Sequence, residues 1–158
     1  MGLQYRSVDL QTQAIHLDVR SGLHEPAAVR GEDDVIPGAT GRDVGARRKD
    51  ARRIILEGHV RGLGGTRDER ALSFRVSSDA LAAIFDRSLD PGELEVDESA
   101  PARFPDAAPY LGLLTARALT ARVVNVITGP VQAHMSYQTY SVELECVDSP
   151  PEWVAAGS

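Results

Sequence analysis

The residues best suited to acid–base or metal chemistry in this chain are its histidines and the carboxylates beside them. Glu57 and His59 stand two apart in the segment EGHVRG and could act together in proton transfer. No histidine is paired with another at the spacing of an H-x-H or H-E-x-x-H motif. Isolated histidines usually lie on surfaces or at interfaces, so the sequence predicts no metal site and no cofactor for the four of them, His16, His24, His59 and His134.

Other motifs also fall short of a catalytic or binding site. The GEDD run at 31–34 has consecutive acids without EF-hand spacing, so a solvated loop is the better interpretation. The GLGG turn at 62–65 lacks both the Lys-Ser/Thr of a P-loop and the third glycine of a dinucleotide-binding loop. Cys146, the single cysteine, stands in an alternating strand pattern that favours a buried, inert thiol. The sequence therefore predicts no catalytic residue, and a small β-barrel enzyme or ligand-binding module using Glu57, His59 and the GEDD acids is the alternative of a different class.

The elements that would position these residues are mostly strands, because apolar and polar residues alternate along them. Short strands are predicted in LQYRSVDL and QAIHLDVRSG, and longer ones in RRIILEGHVRG, ELEVDE, LLTARALTARVVNVITG and AHMSYQTYSVELECVD. Gly58 within RRIILEGHVRG indicates a bulge or the close approach of another backbone. Alternation places one set of residues of the fifth segment on a single face, namely Leu119, Ala121, Val123, Asn125 and Ile127.

A helix is predicted after the GLGG turn. Thr66 is a good N-cap and Glu69 stands three residues later, which completes a capping box. The helix continues through RDERALSFRVSSDALAAIFD and ends before the Asp-Pro-Gly at 90–92. A wide apolar stripe would pack on the sheet that includes Val142 and Leu144. The stripe consists of Phe74, Leu81, Ile84 and Phe85, with Leu72, Val76 and Ala80 beside them.

About seven strands and one helix indicate an α+β fold, an antiparallel β-sandwich or barrel with one packed α-helix. The 158 residues suit a single domain over 1–158, with a long loop or arm at about 21–53 and a short tail at 149–158. Within the arm, residues 31–53 are predicted to be largely without secondary structure, apart from one short strand around Val35 and Ile36. No apolar run approaches the roughly 18 residues that cross a bilayer, so no membrane partner is expected.

Charge is unevenly distributed along the chain, whose formal net charge is -6. The range 42–53 contains six basic residues and two acids, whereas 86–106 contains seven acids and two bases. No Lys or Arg follows Arg122. The net charge argues against general affinity for nucleic acid. Separated basic and acidic surfaces can pair between copies of one chain, and ordinary solvated faces are the alternative interpretation.

Four segments follow one another in a particular order. VRGEDDVIPGATGR carries a G-x-x-x-x-x-P-G loop at Gly31–Gly38, and RRIILEGHVRG continues with the strand Arg53–Gly58. A helix closes on Ile84–Asp86, and a late strand leads to Asp, Pro and Trp within Glu143–Trp153. Over roughly residues 25–153, this order resembles the distal tail protein family of long-tailed bacteriophages, and most of all the short minor tail proteins of phages that infect actinobacteria.

The resemblance implies the fold of the tail tube protein and a structural, non-enzymatic role in the virion. In that family a ring, typically hexameric, joins the tail tube to the baseplate hub or tip, and DNA passes through its lumen without specific binding. The implied partners are further copies of the chain, the tail tube protein and the hub or tip protein, with assembly in the host cytoplasm. The alternatives are a tail tube subunit or a baseplate ring component of a related injection system.

On this hypothesis two kinds of charged residue have roles. The arm arginines would contact a neighbouring subunit, and they are Arg42, Arg47, Arg48, Arg52 and Arg53. A channel that passes DNA must not bind it, so its wall should be acidic or neutral. At least one of two acidic sets is therefore predicted to face the ring axis, either Glu93, Glu95 and Asp97 or Glu143 and Glu145. The alternative is that both sets pair with the arm at the subunit interface.

Overall fold

The computed structural model describes residues 2–22, 29–30, 33–35, 42–44, 48–49, 51–97, 116–132, 134, 136–147 and 154–155. These residues form strands and one long helix. In chain order the elements are β1 Gly2–Tyr5, β2 Val8–Asp9, β3 Ile15–Ser21, β4 Val29–Arg30, β5 Asp33–Val35, β6 Arg42–Val44, β7 Arg48–Lys49, β8 Arg53–Arg61, α1 Arg67–Ile84, β9 Gly92–Asp97, β10 Ala116–Thr128, β11 Tyr137–Cys146 and β12 Val154–Ala155.

The main sheet is antiparallel and closes on itself. Its strand order is β2, β1, β9, β10, β11, β8, β3, and β12 pairs with the first residues of β10. The two ends of this order meet at Leu10, whose amide donates to the Leu3 carbonyl (2.9 Å) and whose carbonyl accepts from the Leu17 amide (2.8 Å). Leu10 follows β2 directly, and an isolated bridge also joins Gln11 to His16 of β3, so the β2 end of the sheet meets β3 and the sheet closes into a barrel.

Alternation along the strands directs one set of side chains into the barrel. Ile54, Leu56 and Val60 on β8 are fully buried, as are Val142 and Leu144 on β11. Each set lies on one side of its strand, as the alternation of side chains requires. A single core cluster contains them, and its largest fully buried members are Tyr5, Leu3, Leu10, Leu17, Ile54, Leu56, Leu81, Leu94, Leu119, Leu144, Val60 and Val96.

Gly58 allows β3 to approach β8 closely. A Cβ atom at Gly58 would lie 1.8 Å from the carbonyl oxygen of His16, so a side chain at this position would collide with the neighbouring backbone. Gly58 pairs with Leu17 without interrupting the register of β8. The predicted close approach is therefore confirmed, and the bulge between these two strands lies instead in β3, between Val19 and Ser21.

Helix α1 begins with the predicted capping box. The Thr66 hydroxyl accepts from the Glu69 amide (3.2 Å), and the Glu69 carboxylate accepts from the Thr66 amide (3.2 Å). The helix runs unbroken to Ile84 and inserts Phe85 into the barrel, where its ring stacks on Tyr5 with centroids 5.7 Å apart. The Tyr5 hydroxyl donates to the Ala121 carbonyl (3.0 Å), which fixes this contact between β1 and β10.

The buried face of α1 is narrower than predicted. Leu81, Ile84 and Phe85 are buried and Phe74 packs against the core, as expected. Leu72 and Val76 were expected beside them, but they are 67% and 63% exposed. The reason is helical geometry, because a residue two positions from Phe74 is rotated by about 200° and faces away from the barrel.

The predicted face of β10 is correct only for its first half. Leu119, Ala121 and Val123 are buried, but the register with β11 shifts between Val123 and Asn125. One extra residue in β10 reverses which side chains point inward. Val126 consequently packs against the core, and Ile127 is 61% exposed.

The region 31–53 contains more strand structure than predicted. β5 pairs with β6 and β4 pairs with β7, which gives two short antiparallel sheets separate from the barrel. The predicted short strand around Val35 and Ile36 corresponds to β5, which ends at Val35. Strands of two or three residues are too short for an alternating pattern to reveal them, and this explains the difference.

Candidate assembly surface

The outward acids of β11 are paired within the chain. Glu143 accepts from Nη1 of Arg53 on β8 (2.7 Å). Glu145 accepts from Arg122 on β10 through Nη2 (2.6 Å) and Nε (2.9 Å). The carboxylate side chains are 29% and 18% exposed, so each pair lies partly sheltered on the barrel surface. These two arginines therefore neutralise the negative charges of Glu143 and Glu145.

The outward acids of β9 have a different environment. Glu93 and Asp97 are exposed, and Glu95 is half-buried between them. A hydrogen bond with the Glu95 carboxyl raises the pKa of Glu93 above its usual value, and burial and the nearby charge of Glu95 add to the rise. This is the behaviour of two carboxyl groups that share a site. Glu93 and Glu95 on β9 thus interact with each other, whereas each β11 acid is paired with an arginine.

Some arginines of the predicted arm lie in the two small sheets, and others lie beside β11. Arg42 lies on β6 and Arg48 on β7, in the two small sheets, while Arg47 lies outside the described residues. At the end of the arm, the Arg52 carbonyl accepts from the Cys146 amide (2.9 Å), and Arg53 is bound to Glu143 of its own chain. The Arg52 backbone and the Arg53 side chain therefore contact β11 of the same barrel.

Two histidines that are 43 residues apart in the sequence become neighbours on the outer face. His16 on β3 is the cross-strand partner of His59 on β8, and their ring centroids are 5.8 Å apart. Nε2 of His16 lies 3.0 Å from Oδ2 of Asp18, and the His59 ring stacks on Tyr137 of β11 at 5.1 Å. Burial lowers the pKa of His59 below its usual value, and the charges of His16 and Arg61 lower it further.

His59 also borders an open groove of about 520 Å³ on the same face. Its walls include Glu57, Tyr137 and Thr139, and the exposed Ile127. Glu57 forms an ion pair with Arg20 of β3. His134 is exposed elsewhere on the chain, and His24 lies outside the described residues.

The remaining sequence motifs have structural roles where the structure describes them. The Glu69 carboxylate accepts from the Gly65 amide (2.9 Å) as well as from Thr66, so a side chain of the chain itself occupies the GLGG turn and the helix start. Cys146 is 2% exposed. Asp33 and Asp34 lie on β5, and Gly31 and Glu32 are outside the described residues. Among the described residues, no group of three or more His, Cys, Asp or Glu is arranged to hold a metal ion.

Sequence reasoning missed the partners of these charged residues. Arg122 and Arg20 both face outward beside an acid of the adjacent strand, but they were not assigned a role. The alternating pattern contains a usable signal, since it places Arg122 on the opposite face from the buried Ala121 and Val123. The strand register, which the pattern does not contain, decides which acid each arginine meets.

Among the described residues, no helix is long and apolar enough to cross a membrane.

Comparison with known proteins gives a match at the level of the fold. No protein-family model and no curated protein matches the chain. The crystal structure of phage SPP1 Dit (gp 19.1), a paradigm of the hub adsorption apparatus in Gram-positive infecting phages, matches 93% of this chain at 15% identity with a TM-score of 0.55. The chain covers 49% of that structure, about half its length. Hcp1 from Flavobacterium johnsoniae is also 15% identical, over 92% of this chain and 88% of Hcp1, with a TM-score of 0.35. The Dit match shows that this chain shares a fold with that phage protein, and the predicted α+β fold of antiparallel strands with one packed helix is confirmed.

Proposed function

We propose that this chain is a structural virion protein, a distal tail protein whose copies form a ring between the tail tube and the baseplate hub or tip. The observation that carries this proposal is the fold match of 93% of the chain to SPP1 Dit, a protein of a phage hub adsorption apparatus. The order of sequence segments adds support from an independent direction, because it resembles the same family. The ring would be assembled in the host cytoplasm, contact the tail tube protein and the hub or tip protein, and function without catalysis or a membrane partner.

In the proposed ring, the β9 acids line the lumen. Glu93 and Glu95 share the outward face of β9 and lie opposite the neutral Thr120 and Ala118 of β10. Phosphates that pass such a wall meet charge of the same sign and are not retained. Glu143 and Glu145 are the weaker candidates for the wall, since arginines of the same chain already neutralise them.

The arm would supply the contact with the neighbouring subunit. Arg42, Arg47 and Arg48 are the residues assigned to that contact, whereas Arg52 and Arg53 stand at the root of the arm and connect it to β11. Replacing Arg42, Arg47 and Arg48 by Ser should leave the barrel folded and impair ring formation, as measured by native mass spectrometry. Arg53→Ser is the matched control, because it breaks an internal ion pair and should leave the ring intact. Ring formation by the triple variant at wild-type level would contradict the assignment of the arm.

Gold-labelled antibodies against the purified chain test the proposed function on particles of the phage that encodes it. Label confined to the far end of the tail is expected for a distal tail protein. Label along the whole tail would replace the proposal with the tube-subunit alternative. Unlabelled particles, together with a free monomer of 17.0 kDa, would favour an enzyme or ligand-binding module instead. In that case the groove beside His59 would be the place to search for a ligand.

A further inference from the structure

We propose that His16 and His59 form a binding site for a borderline divalent metal ion such as Cu²⁺ or Zn²⁺ on the outer face of the barrel. The two residues are direct cross-strand partners on β3 and β8, and their rings are 5.8 Å apart between centroids. Imidazole is a preferred ligand of both ions. The proposal does not depend on ring assembly, because both histidines belong to one chain.

The separation of the rings fits a shared ion after a small movement. With metal–nitrogen bonds of about 2.0–2.1 Å, two imidazoles on a tetrahedral ion have centroids about 5 Å apart. The observed 5.8 Å differs from this by less than about 1 Å, which rotations of the partly exposed side chains can supply. The backbone register already fixes which histidine meets which, so binding requires no change of fold.

Each ring also contacts a second side chain. Asp18 lies 3.0 Å from Nε2 of His16, and Gln11 in turn donates to the Asp18 carboxylate. A carboxylate that accepts the Nε2 proton leaves the Nδ1 lone pair of the same ring available to a metal ion. On the other side, Tyr137 of β11 stacks on His59 at 5.1 Å. Two rings restrained in this way lose little conformational freedom when an ion binds between them.

The nearby charges favour a site with two protein ligands and solvent in the remaining positions. Glu57 is engaged by Arg20, and Asp18 is engaged by His16 and Gln11, so neither carboxylate is placed as a third direct ligand. This agrees with the lack of any group of three suitable ligands among the described residues. Arg61 lies two residues beyond His59 and opposes a cation, which favours the ion with the strongest affinity for imidazole. By the general order of divalent affinities, Cu²⁺ should bind more tightly than Zn²⁺.

Calorimetric titration of the full chain, without a histidine tag, with Cu²⁺ or Zn²⁺ alone tests the site. One ion per chain should bind, and electron paramagnetic resonance of the Cu²⁺ form should show two coordinated imidazole nitrogens. His16→Ala and His59→Ala should each weaken binding by at least about tenfold, since even loss of an outer hydrogen-bond partner commonly costs 10–100-fold. The double variant His24→Ala/His134→Ala is the matched control and should bind as the wild type does.

Asp18→Asn distinguishes a positioning role from a merely structural one. It should weaken binding by about tenfold and, in long-range ¹H–¹⁵N spectra, remove the preference of His16 for the Nε2–H form. Failure of the wild type to saturate below about 1 mM Cu²⁺ would overturn the site. Wild-type-like binding in His16→Ala/His59→Ala, or a wild-type spectrum with a single coordinated nitrogen, would also overturn it. The spectrum of the wild type decides the question even if a variant fails to fold.

Discussion

Strands β9 and β11 carry the same sequence pattern but present different surfaces. In each, outward carboxylates alternate with buried side chains, Glu93 and Glu95 on β9 and Glu143 and Glu145 on β11. The β11 acids form ion pairs with arginines of the two adjacent strands. On β9, Glu93 hydrogen-bonds to Glu95 and has a raised pKa. Acidic alternation in a sequence therefore does not reveal whether the folded surface is negatively charged.

The neighbouring strand causes this difference. β10 lies between β9 and β11, and the register places its Arg122 opposite Glu145 but its Thr120 opposite Glu93. Glu95 has an alanine of β10 and a glutamine of β1 as its cross-strand partners. A carboxylate opposite arginine is neutralised, whereas one opposite a neutral residue keeps its charge. β10 thus places an arginine opposite Glu145 of β11 and neutral residues opposite Glu93 and Glu95 of β9.

The largest expected effect concerns the inner faces, where the two strands should behave alike. Leu94 on β9 and Leu144 on β11 are both fully buried in the same core. Leu94→Ala and Leu144→Ala should each lower the free energy of unfolding by about 2–5 kcal/mol through lost burial and cavity formation. Urea denaturation measures the free energy of unfolding of both variants. A cost below about 0.5 kcal/mol for either one, the usual scale of surface changes, would show that its inner face is not part of the core.

The next effect concerns DNA and depends on the proposed ring. Replacing Glu93, Glu95 and Asp97 by Lys should leave the ring assembled and increase its retention of DNA at low salt by at least about tenfold, or 1.4 kcal/mol. Retention should fall as salt rises, because the added lysines release counterions from the phosphates.

Glu143→Lys/Glu145→Lys is the matched control for the lumen, and its ring should retain DNA no better than the wild type. Filter binding over a salt series measures both rings. If the β11 variant retains DNA and the β9 variant does not, the assignment of the lumen is reversed. If both rings ignore DNA, neither strand lines the channel.

Charge reversal on β11 should also lower the free energy of unfolding more than charge reversal on β9. Glu143→Lys/Glu145→Lys breaks two ion pairs and places ammonium groups beside Arg53 and Arg122, so it should cost about 1 kcal/mol, given 0.2–1 kcal/mol for each partly exposed pair. Thermal and urea unfolding should show no comparable loss for Glu93→Lys, which removes a carboxylate from a site that contains two. Equal losses of stability in the two variants would show that the acids of β9 and β11 do not differ in their pairing.

The smallest effect is a dependence on pH at Glu93. Its pKa in the native protein is raised above the usual 4.5, so the native state holds this proton more firmly than the unfolded chain does. The resulting stability is present below pH 4.5 and is lost as the pH rises through the native pKa. Glu93→Gln imitates the protonated form and should be slightly more stable than the wild type at pH 7, by less than about 0.5 kcal/mol because solvent screens the site.

Thermal unfolding at several pH values measures the effect of Glu93→Gln. The gain should disappear near pH 3, where the wild-type carboxyl is itself protonated. Glu143→Gln is the control and should be less stable than the wild type at pH 7, since it loses the charge that Arg53 binds. A constant gain for Glu93→Gln across this range would show that the effect is not electrostatic.

Much of the fold could be predicted because its signals are local. The capping box of Thr66 and Glu69 marked the start of α1, and alternation identified the strands β8 and β11. The prediction failed in β10, where one extra residue exchanged the inward and outward sides of the strand. The extra residue of β10 before Asn125 turned Ile127 outward, and nothing in the composition of that segment indicates where the bulge lies.

The charged surfaces were predictable only in part. Away from the β10 bulge, the sequence by itself separated the two faces of each long strand, because side chains alternate with a period of two. Strand order and register were decided by the tertiary structure, since they depend on how distant apolar faces pack into one core. They brought His16 to His59, bound Glu143 and Glu145 to arginines, and left Glu93 beside Glu95. The sequence thus determined the charges that this protein displays, and only the closed barrel decided which of them neutralise one another.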